Sequence, residues 1–409
     1  MTKPCFWIIG GGLLQVPLID EAKALGYDII VSDGSENCVC KPLSTHFFHI
    51  DIFDYNAHIE CAEKLVKKGI IIEGVLAAGI DAPETMAKVA EHLNLPTVSS
   101  EIAHLVNNKD KFREKMKELG VPVPRFAIIN SQNADQIDDI LIDIKYPLIV
   151  KNTSSSGSRG TKLFFTPDNY GVKDMVSEAI SVSRSGNALI ESLWEGTEHT
   201  VETIFDSSRK FHRGFITDRQ FDNADGFALE TGLVHPTTLS KDIQDDMYTL
   251  AEDLAKKLGI TIGAAKYDMI QTKEGPRIIE MTVRLSGGFD CQYLVPAATG
   301  KNLMKAAILT ATGKLFDDYL LKDTKNKVAL SESLWPRPGK LTAINGLDIA
   351  KKMPGFEKIF FRYKVGDTVA PYIDCTKRVC FIIVSGDSLE EATANMTAIK
   401  NTIECVTEQ

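Results

Sequence analysis

Through the first hundred residues, short apolar runs alternate with stretches of helical period. Residues 6–9 read as a strand, 15–25 as a helix and 28–31 as a second strand. A helix over 57–68, a third strand over 74–77 and a helix over 83–93, ending before Leu95-Pro96, complete the run. Such alternation predicts a parallel sheet of βα units, because parallel neighbours need a crossover between them. A helix over 109–119 is stopped by Gly120-Val121-Pro122-Val123-Pro124, since proline disfavours the helical region for the residue before it. Beyond it come a strand over 147–151, a polar loop, a strand over 162–165, a helix over 169–184 and a strand over 188–191. A helix over 241–258 precedes two apolar strands joined by the turn Lys273-Glu274-Gly275-Pro276. From about residue 331 the pattern changes to short strands and turns with a closing helix over 388–403, which reads as a separate α+β unit.

The 409 residues are too many for one compact core, so two or three domains are expected. A hydrophobic share of 44% with 25% charge is that of a soluble globular protein, and no apolar run approaches the roughly 20 residues of a spanning helix. The apolar stretch at the N-terminus is too short for a signal peptide and ends in glycines, as a first strand would. A net charge of −9 argues against nucleic acid or an anionic membrane as partner, so any phosphate site must be a local basic pocket. Of the eight cysteines only Cys38 and Cys40 are close, and no second pair completes a zinc site. They read as the reduced thiols of a cytoplasmic protein.

Asp268 and Glu280 sit on the two strands of the later hairpin, which can bring their carboxylates side by side. Two buried carboxylates need a cation between them, and oxygen-only ligation suits Mg²⁺ with bound phosphates. Thr282 and Arg284 follow at alternate positions and share a strand face with Glu280. The competing reading is a hairpin with ordinary exposed carboxylates. A second signal is the run Asn152 to Gly160, rich in Ser and Gly, with Lys151 before it and Arg159 and Lys162 near its end. Its amides and hydroxyls can fold over a polyphosphate. It leads to another strand rather than a helix, so it is a flap and not a Walker loop; its bland alternative is a flexible surface loop. A third is Glu191 at a strand end, with Glu195-Gly196 turning the chain to Glu198. Gly10-Gly11-Gly12 with Asp33 imitates a dinucleotide fingerprint, but the third required glycine falls on Gln15 and Pro17 follows. A structural turn, or a surface facing substrate, is the better expectation there.

Taken in order, these motifs resemble the ATP-grasp superfamily, which includes biotin carboxylase, D-alanine–D-alanine ligase and the L-amino-acid ligases. The resemblance spans essentially the whole chain. It implies a multidomain α/β and α+β protein: a parallel α/β pre-ATP-grasp domain over 1–105, the ATP-grasp domain over 106–330 with a nucleotide-binding lid at about 120–195, and a small α+β domain over 331–409. It implies that Lys111 and Lys151 contact ATP phosphates. The loop over 153–160, with Ser156, Gly157, Ser158, Arg159 and Gly160, would cover them. Glu191, Ser192, Leu193 and Trp194 would read adenine through the backbone, and Glu198 the ribose. Asp268 and Glu280 would hold Mg²⁺ (or Mn²⁺), and Arg284 would steady the transferred phosphoryl group. Thr282 stands where the family usually has Asn, which implies a weaker metal contact.

Lys266 shares a strand face with Asp268 and either touches a phosphate or acyl group or pairs with Asp268. Glu230 and His235 lie where such ligases contact the second substrate, though a lone loop histidine is often structural. Ser286, Gly287 and Gly288 offer backbone donors to a carboxylate or oxyanion. The implied activity is ATP-dependent joining of a small carboxylic acid to an amine through an acyl phosphate, releasing ADP and phosphate, in a possible homodimer. Its alternatives are a bicarbonate-activating carboxylase or carbamoyl-phosphate-synthase-like enzyme, a NAD-linked oxidoreductase, and a non-catalytic nucleotide-binding regulator.

Overall fold

The computed structural model describes residues 3–408. Strands β1 (Cys5–Ile9), β2 (Asp28–Asp33), β3 (His46–His49) and β4 (Ile72–Ala77) form a parallel sheet in the order β3-β2-β1-β4. β1 is buried at every position, which is why it reads as an unbroken apolar run. Helices α1 (Val16–Ala24), α2 (Tyr55–Lys67), α3 (Pro83–His92) and α4 (Ser100–Asn107) accompany the sheet. The sequence pattern misses β3 and α4. β3 is a short edge strand with histidine at both ends and no fully buried position, so it has no apolar signature.

At the tip of β1 the would-be dinucleotide turn is closed on itself. Asp33 Oδ2 accepts from the Gly11 amide at 2.7 Å and Asp33 Oδ1 from that of Ser35 at 2.7 Å, so this carboxylate is not free for a ribose. Gln15 closes the other side, accepting from the Gly12 amide at 2.8 Å and donating to the Ala78 carbonyl.

After α5 (Lys109–Glu118), the strands β5 (Phe126–Ile129), β6 (Leu148–Asn152), β7 (Thr161–Phe164) and β8 (Ala188–Ser192) form an antiparallel sheet in the order β5-β8-β6-β7. With α6 (Ile137–Asp143) and α7 (Asn169–Val182) it encloses its own core around Leu148, Val150, Val172, Val176 and Ile190.

The central sheet has eight strands. β9 (Thr197–Phe205), β10 (Phe211–Asp222), β11 (Leu229–His235), β12 (Gly263–Thr272) and β13 (Gly275–Thr282) come first, then β14 (Val328–Glu332), β16 (Phe356–Phe361) and β18 (Cys380–Gly386), in the order β13-β12-β9-β10-β11-β14-β18-β16. The C-terminal strands thus continue this sheet, while β15 (Gly339–Asn345), β17 (Thr368–Val369) and β19 (Glu404–Glu408) make a small sheet beside it. Helix α8 (Lys241–Leu258) has the bounds its apolar period predicts; Gly259 ends it at φ 78°, a left-handed conformation that costs glycine little. The parallel sheet meets the central one where Ala78 bridges Leu285 and the Gly79 amide donates to the Leu285 carbonyl at 3.2 Å. Gly79 is at φ +63°, and a Cβ there would stand 3.1 Å from Gly287 Cα, so this junction requires glycine. All eight cysteines are free, and no described helix is long and apolar enough to cross a membrane.

Candidate active site

A cavity of about 490 Å³ opens where the parallel sheet, the β6–β7 loop, the β12–β13 hairpin and the C-terminal segment meet. Asp268 and Glu280 face each other across the hairpin as cross-strand partners, and Lys266 faces Thr282 two pairs along. Asp268 is buried, with Lys266 Nζ at 2.5 Å and Arg219 Nη1 at 3.2 Å. Glu280 has Lys109 Nζ at 3.4 Å. Burial would raise Glu280, but Lys109 and Lys266 hold its carboxyl well below the usual range. Thr282 Oγ1 is buried with no hydrogen-bond partner.

Two carboxylates on opposed strands with an orphaned hydroxyl alongside fit a hard divalent cation. Among the described residues no cluster of three His, Cys, Asp or Glu side chains is present, so the rest of its shell would come from water and phosphate oxygens.

The β6–β7 loop lies closed over this pair. Arg159 Nη2 is 2.6 Å from Asp81 Oδ2, the Ser156 amide donates to the same oxygen at 3.3 Å, and Lys109 Nζ donates to the Ser155 carbonyl at 2.5 Å. From the far side the Cys375 amide donates to the Gly157 carbonyl at 3.0 Å. Burial would raise Asp81, yet the Ser156 amide, Arg284 and Arg159 keep it below the ordinary carboxylate range.

Behind the loop, Glu191 is fully buried between Lys151 Nζ at 2.6 Å and Arg113 Nε at 2.5 Å. Arg113 also donates through Nη2 to the Ile279 carbonyl at 2.8 Å, which ties α5 and β8 to the hairpin. The Ser192 and Leu193 amides are engaged by the carbonyls of Arg125 and Pro147, each at 2.9 Å. Glu198 pairs with Arg219 at 3.3 Å, and the same guanidinium reaches Glu230 at 2.8 Å. Burial pushes Glu230 up, but Arg219 and Arg378 hold it at about 2.

Several expected residues stand elsewhere. Lys111 is exposed, 2.7 Å from His104 Nε2, and lines no part of the cavity. The lysine of α5 that reaches the cavity is Lys109, two residues earlier and so on another face of the helix. His235 is a core residue: Nδ1 lies 3.1 Å from the Ile216 carbonyl, the ring packs edge-on against Phe215, and burial lowers its pKa to about 4. The Ser286 amide is taken by Glu202 at 3.2 Å, while Ser286, Gly287 and Gly288 all line the cavity. Arg284 lines it too, anchored through Nε to the Ile80 carbonyl at 2.7 Å.

Sequence reasoning overlooked Lys109, Asp81, Arg219, Glu202 and Asp290. Glu202 is wholly buried on β9, and burial pushes it up to about 7 despite the Ser286 amide. Asp290 lines the cavity, accepts from Thr217 Oγ1 at 3.0 Å, and is driven well above its ordinary value by burial and by Glu202. The available signal was a carboxylate inside an apolar strand: Glu202 falls in Val201-Glu202-Thr203-Ile204, as Asp268 does in its own strand.

The family model of the carbamoyl-phosphate synthase L chain ATP binding domain matches residues 108–318, more than half of the chain. The chain belongs to this ATP-grasp family. A second model, L-amino acid ligase C-terminal domain 2, matches residues 334–408 of this ATP-grasp protein. The Sinorhizobium fredii protein y4rH is 25% identical over 83% of this chain and 68% of its own length. Human carnosine synthase 1 is 22% identical over 74% of this chain, but only 39% of that enzyme is spanned. Among solved structures, an L-amino acid ligase from Bacillus licheniformis covers both chains completely at 21% identity with a TM-score of 0.84. The ATP-grasp fold therefore extends through the whole chain, including the strands that the C-terminal segment adds to the central sheet.

Proposed function

We propose that the protein is an ATP- and Mg²⁺-dependent carboxylate–amine ligase that releases ADP and phosphate. The observation that carries this reading is the convergence on one cavity of the opposed Asp268 and Glu280, the Ser155–Arg159 part of the loop, and Arg284. Asp268 and Glu280 would hold the metal, with Thr282 Oγ1 behind them. Mg²⁺ held there would supply charge neutralisation for the transferred phosphoryl group. Lys109 and Lys151 add positive charge along the phosphates, and the loop amides and hydroxyls shield them from water. In the Glu191–Trp194 linker the Ser192 and Leu193 amides are already engaged, so adenine there would be met by the remaining backbone groups, and Glu198 would meet the ribose.

A carboxylate oxygen of the acid then attacks the γ-phosphorus, and ADP leaves. The amine attacks the resulting acyl carbon, giving an amide and expelling phosphate. Arg284, fixed by its Nε bond to the Ile80 carbonyl and its Nη1 bond to the Leu285 carbonyl, presents Nη2 to the charge that would develop on the transferring group. The work of the chain is positioning and charge neutralisation, with no covalent enzyme intermediate. The L-amino acid ligase match over residues 334–408 favours amide formation over bicarbonate activation.

Phosphate release from ATP–Mg²⁺ with a panel of amino acids tests the reading, using acids labelled with ¹⁸O at the carboxylate. Label is expected in inorganic phosphate; AMP and pyrophosphate as products would overturn it.

A further inference from the structure

A second cavity, of about 480 Å³, shares no lining residue with the first. Its walls come from α1, from residues 292–296, and from residues 300–304 and 324–325. The segment Asp290–Leu294 winds as a single π-turn, a form common at functional sites. Asp290 lines the first cavity, whereas Gln292 and Tyr293 line the second. One turn of backbone therefore faces both spaces.

Gln292 is the distinctive group. It is only 2% exposed, and its Nε2 donates to the Ser286 carbonyl at 2.8 Å. Its Oε1 is buried with no hydrogen-bond partner, which is costly unless a donor meets it. The charge around it is of both signs. Asp20 and Glu21 of α1 have no side-chain hydrogen bond or ion pair among the described residues. Lys325 Nζ donates to the Pro296 carbonyl at 3.0 Å and makes no ion pair among the described residues. Lys301, by contrast, is already held by Asp323 at 3.2 Å and the Gly214 carbonyl at 3.1 Å. Pro17, Pro296 and Met304 supply apolar wall. A buried acceptor that lacks a donor, two free carboxylates and a free ammonium in one cavity fit a small molecule that carries an ammonium and a carboxylate.

We propose that this cavity is an effector site for a small zwitterion, whose ammonium is received by Gln292 Oε1 with Asp20 and Glu21 and whose carboxylate is received by Lys325. Occupancy is reported to the first cavity through the bond from Gln292 to the Ser286 carbonyl. Ser286 lines that cavity ahead of Gly287 and Gly288, and Glu202 holds its amide at 3.2 Å. A ligand that pulls on Gln292 therefore acts on one side of a short segment fixed on the other. The proposal goes beyond the ligase reading, because none of these four ligand-binding residues lines the cavity in which that chemistry would occur. Free amino acids and short peptides share the chemistry, and the experiment separates them.

Titration calorimetry on the full chain uses L-alanine, L-alanyl-L-alanine and the N-acetylated form of each as probes. At least one zwitterion is expected to bind, and its acetylated form, which lacks the ammonium, at least about tenfold more weakly. Glu21→Lys and Lys325→Glu are each expected to weaken that zwitterion about tenfold and to leave ADP affinity in its absence unaltered. In the parent the zwitterion should shift the Kd for ADP several-fold, as linkage between two sites requires. That shift should vanish in both charge variants and in Gln292→Leu. A response to alanine alone assigns the site to a free amino acid, and a response to the dipeptide alone to a peptide; either bears the proposal out. Equal binding of the acetylated forms, parent-like affinity for both zwitterions in Glu21→Lys and Lys325→Glu, or an unmoved Kd for ADP in the parent overturns it. The ligase reading is decided apart from this by phosphate release from the unmodified protein, which none of these binding outcomes touches.

Discussion

Lys109 Nζ stands 3.4 Å from Glu280 Oε2 while donating to the Ser155 carbonyl, so one ammonium on α5 links the hairpin carboxylates to the loop above them. Lys111, on the same helix, is turned away towards His104. Lys109→Ala is therefore expected to lower kcat/KM for ATP by about 10²-fold, the scale for removing one fixed charge stabiliser. Lys111→Ala should stay within about twofold of the parent. Steady-state ADP release with the two variants decides it; the opposite order would return the role to Lys111.

Glu280→Gln should remove most activity at any practical Mg²⁺ concentration, because it leaves Asp268 alone against a divalent ion. Thr282→Ala should act mainly by raising the Mg²⁺ requirement, since a hydroxyl gives at most one neutral contact. Thr282→Asn should be tolerated. Magnesium titrations of the three variants provide the check, and near-normal turnover by Glu280→Gln alongside loss in Thr282→Ala would refute the assignment.

The clasp between Arg159 and Asp81 predicts how the loop opens. Asp81→Asn removes the charge that receives Arg159 and leaves a serine- and glycine-rich segment with little apolar surface to hold it. Trypsin cleavage at Arg159 should quicken several-fold in the variant, and ATP–Mg²⁺ should slow it in both proteins. Equal cleavage in both would mean that other contacts hold the loop.

Glu202 gives the fold a pH dependence of known sign. Burial lifts its pKa from 4.5 to about 7, so between those values the folded chain keeps a proton that the unfolded chain has released. Its neutral form is fully accommodated below pH 4.5, and stability falls as pH rises through 7, by about 3 kcal/mol in total. Glu202→Gln keeps an acceptor for the Ser286 amide and never ionises. Its Tm should exceed that of the parent at pH 8, and the slope between pH 5 and 7 should flatten. An unchanged slope would show that Glu202 is not the titrating group.

How much of this was legible depended on whether a residue's role left a local trace. The hairpin was readable because apolar alternation, a turn tetrapeptide and two misplaced carboxylates lie within one short stretch, and the register pairs Asp268 with Glu280 as that pattern implies. Helix α8 was readable to its ends because its period and its terminal glycine agree. Lys109 and Lys111 could not be told apart, since both lie in a polar helix start and only packing fixes which face turns inward. His235 misled for the converse reason: its neighbours Gly232 and Pro236 suggest a loop, whereas β11 buries it. Arg219 and Arg378 left no trace because their partners come from other strands, up to 148 residues away in the chain for Arg378 and Glu230.

The cavity draws its lining from Leu14 through to Phe381, and Phe381 lies on β18, a strand of the same eight-stranded sheet that carries the hairpin. During synthesis the nucleotide-facing parts emerge long before the strand that finishes the walls. A chain still on the ribosome thus has no closed chamber in which the proposed activated acid could be held.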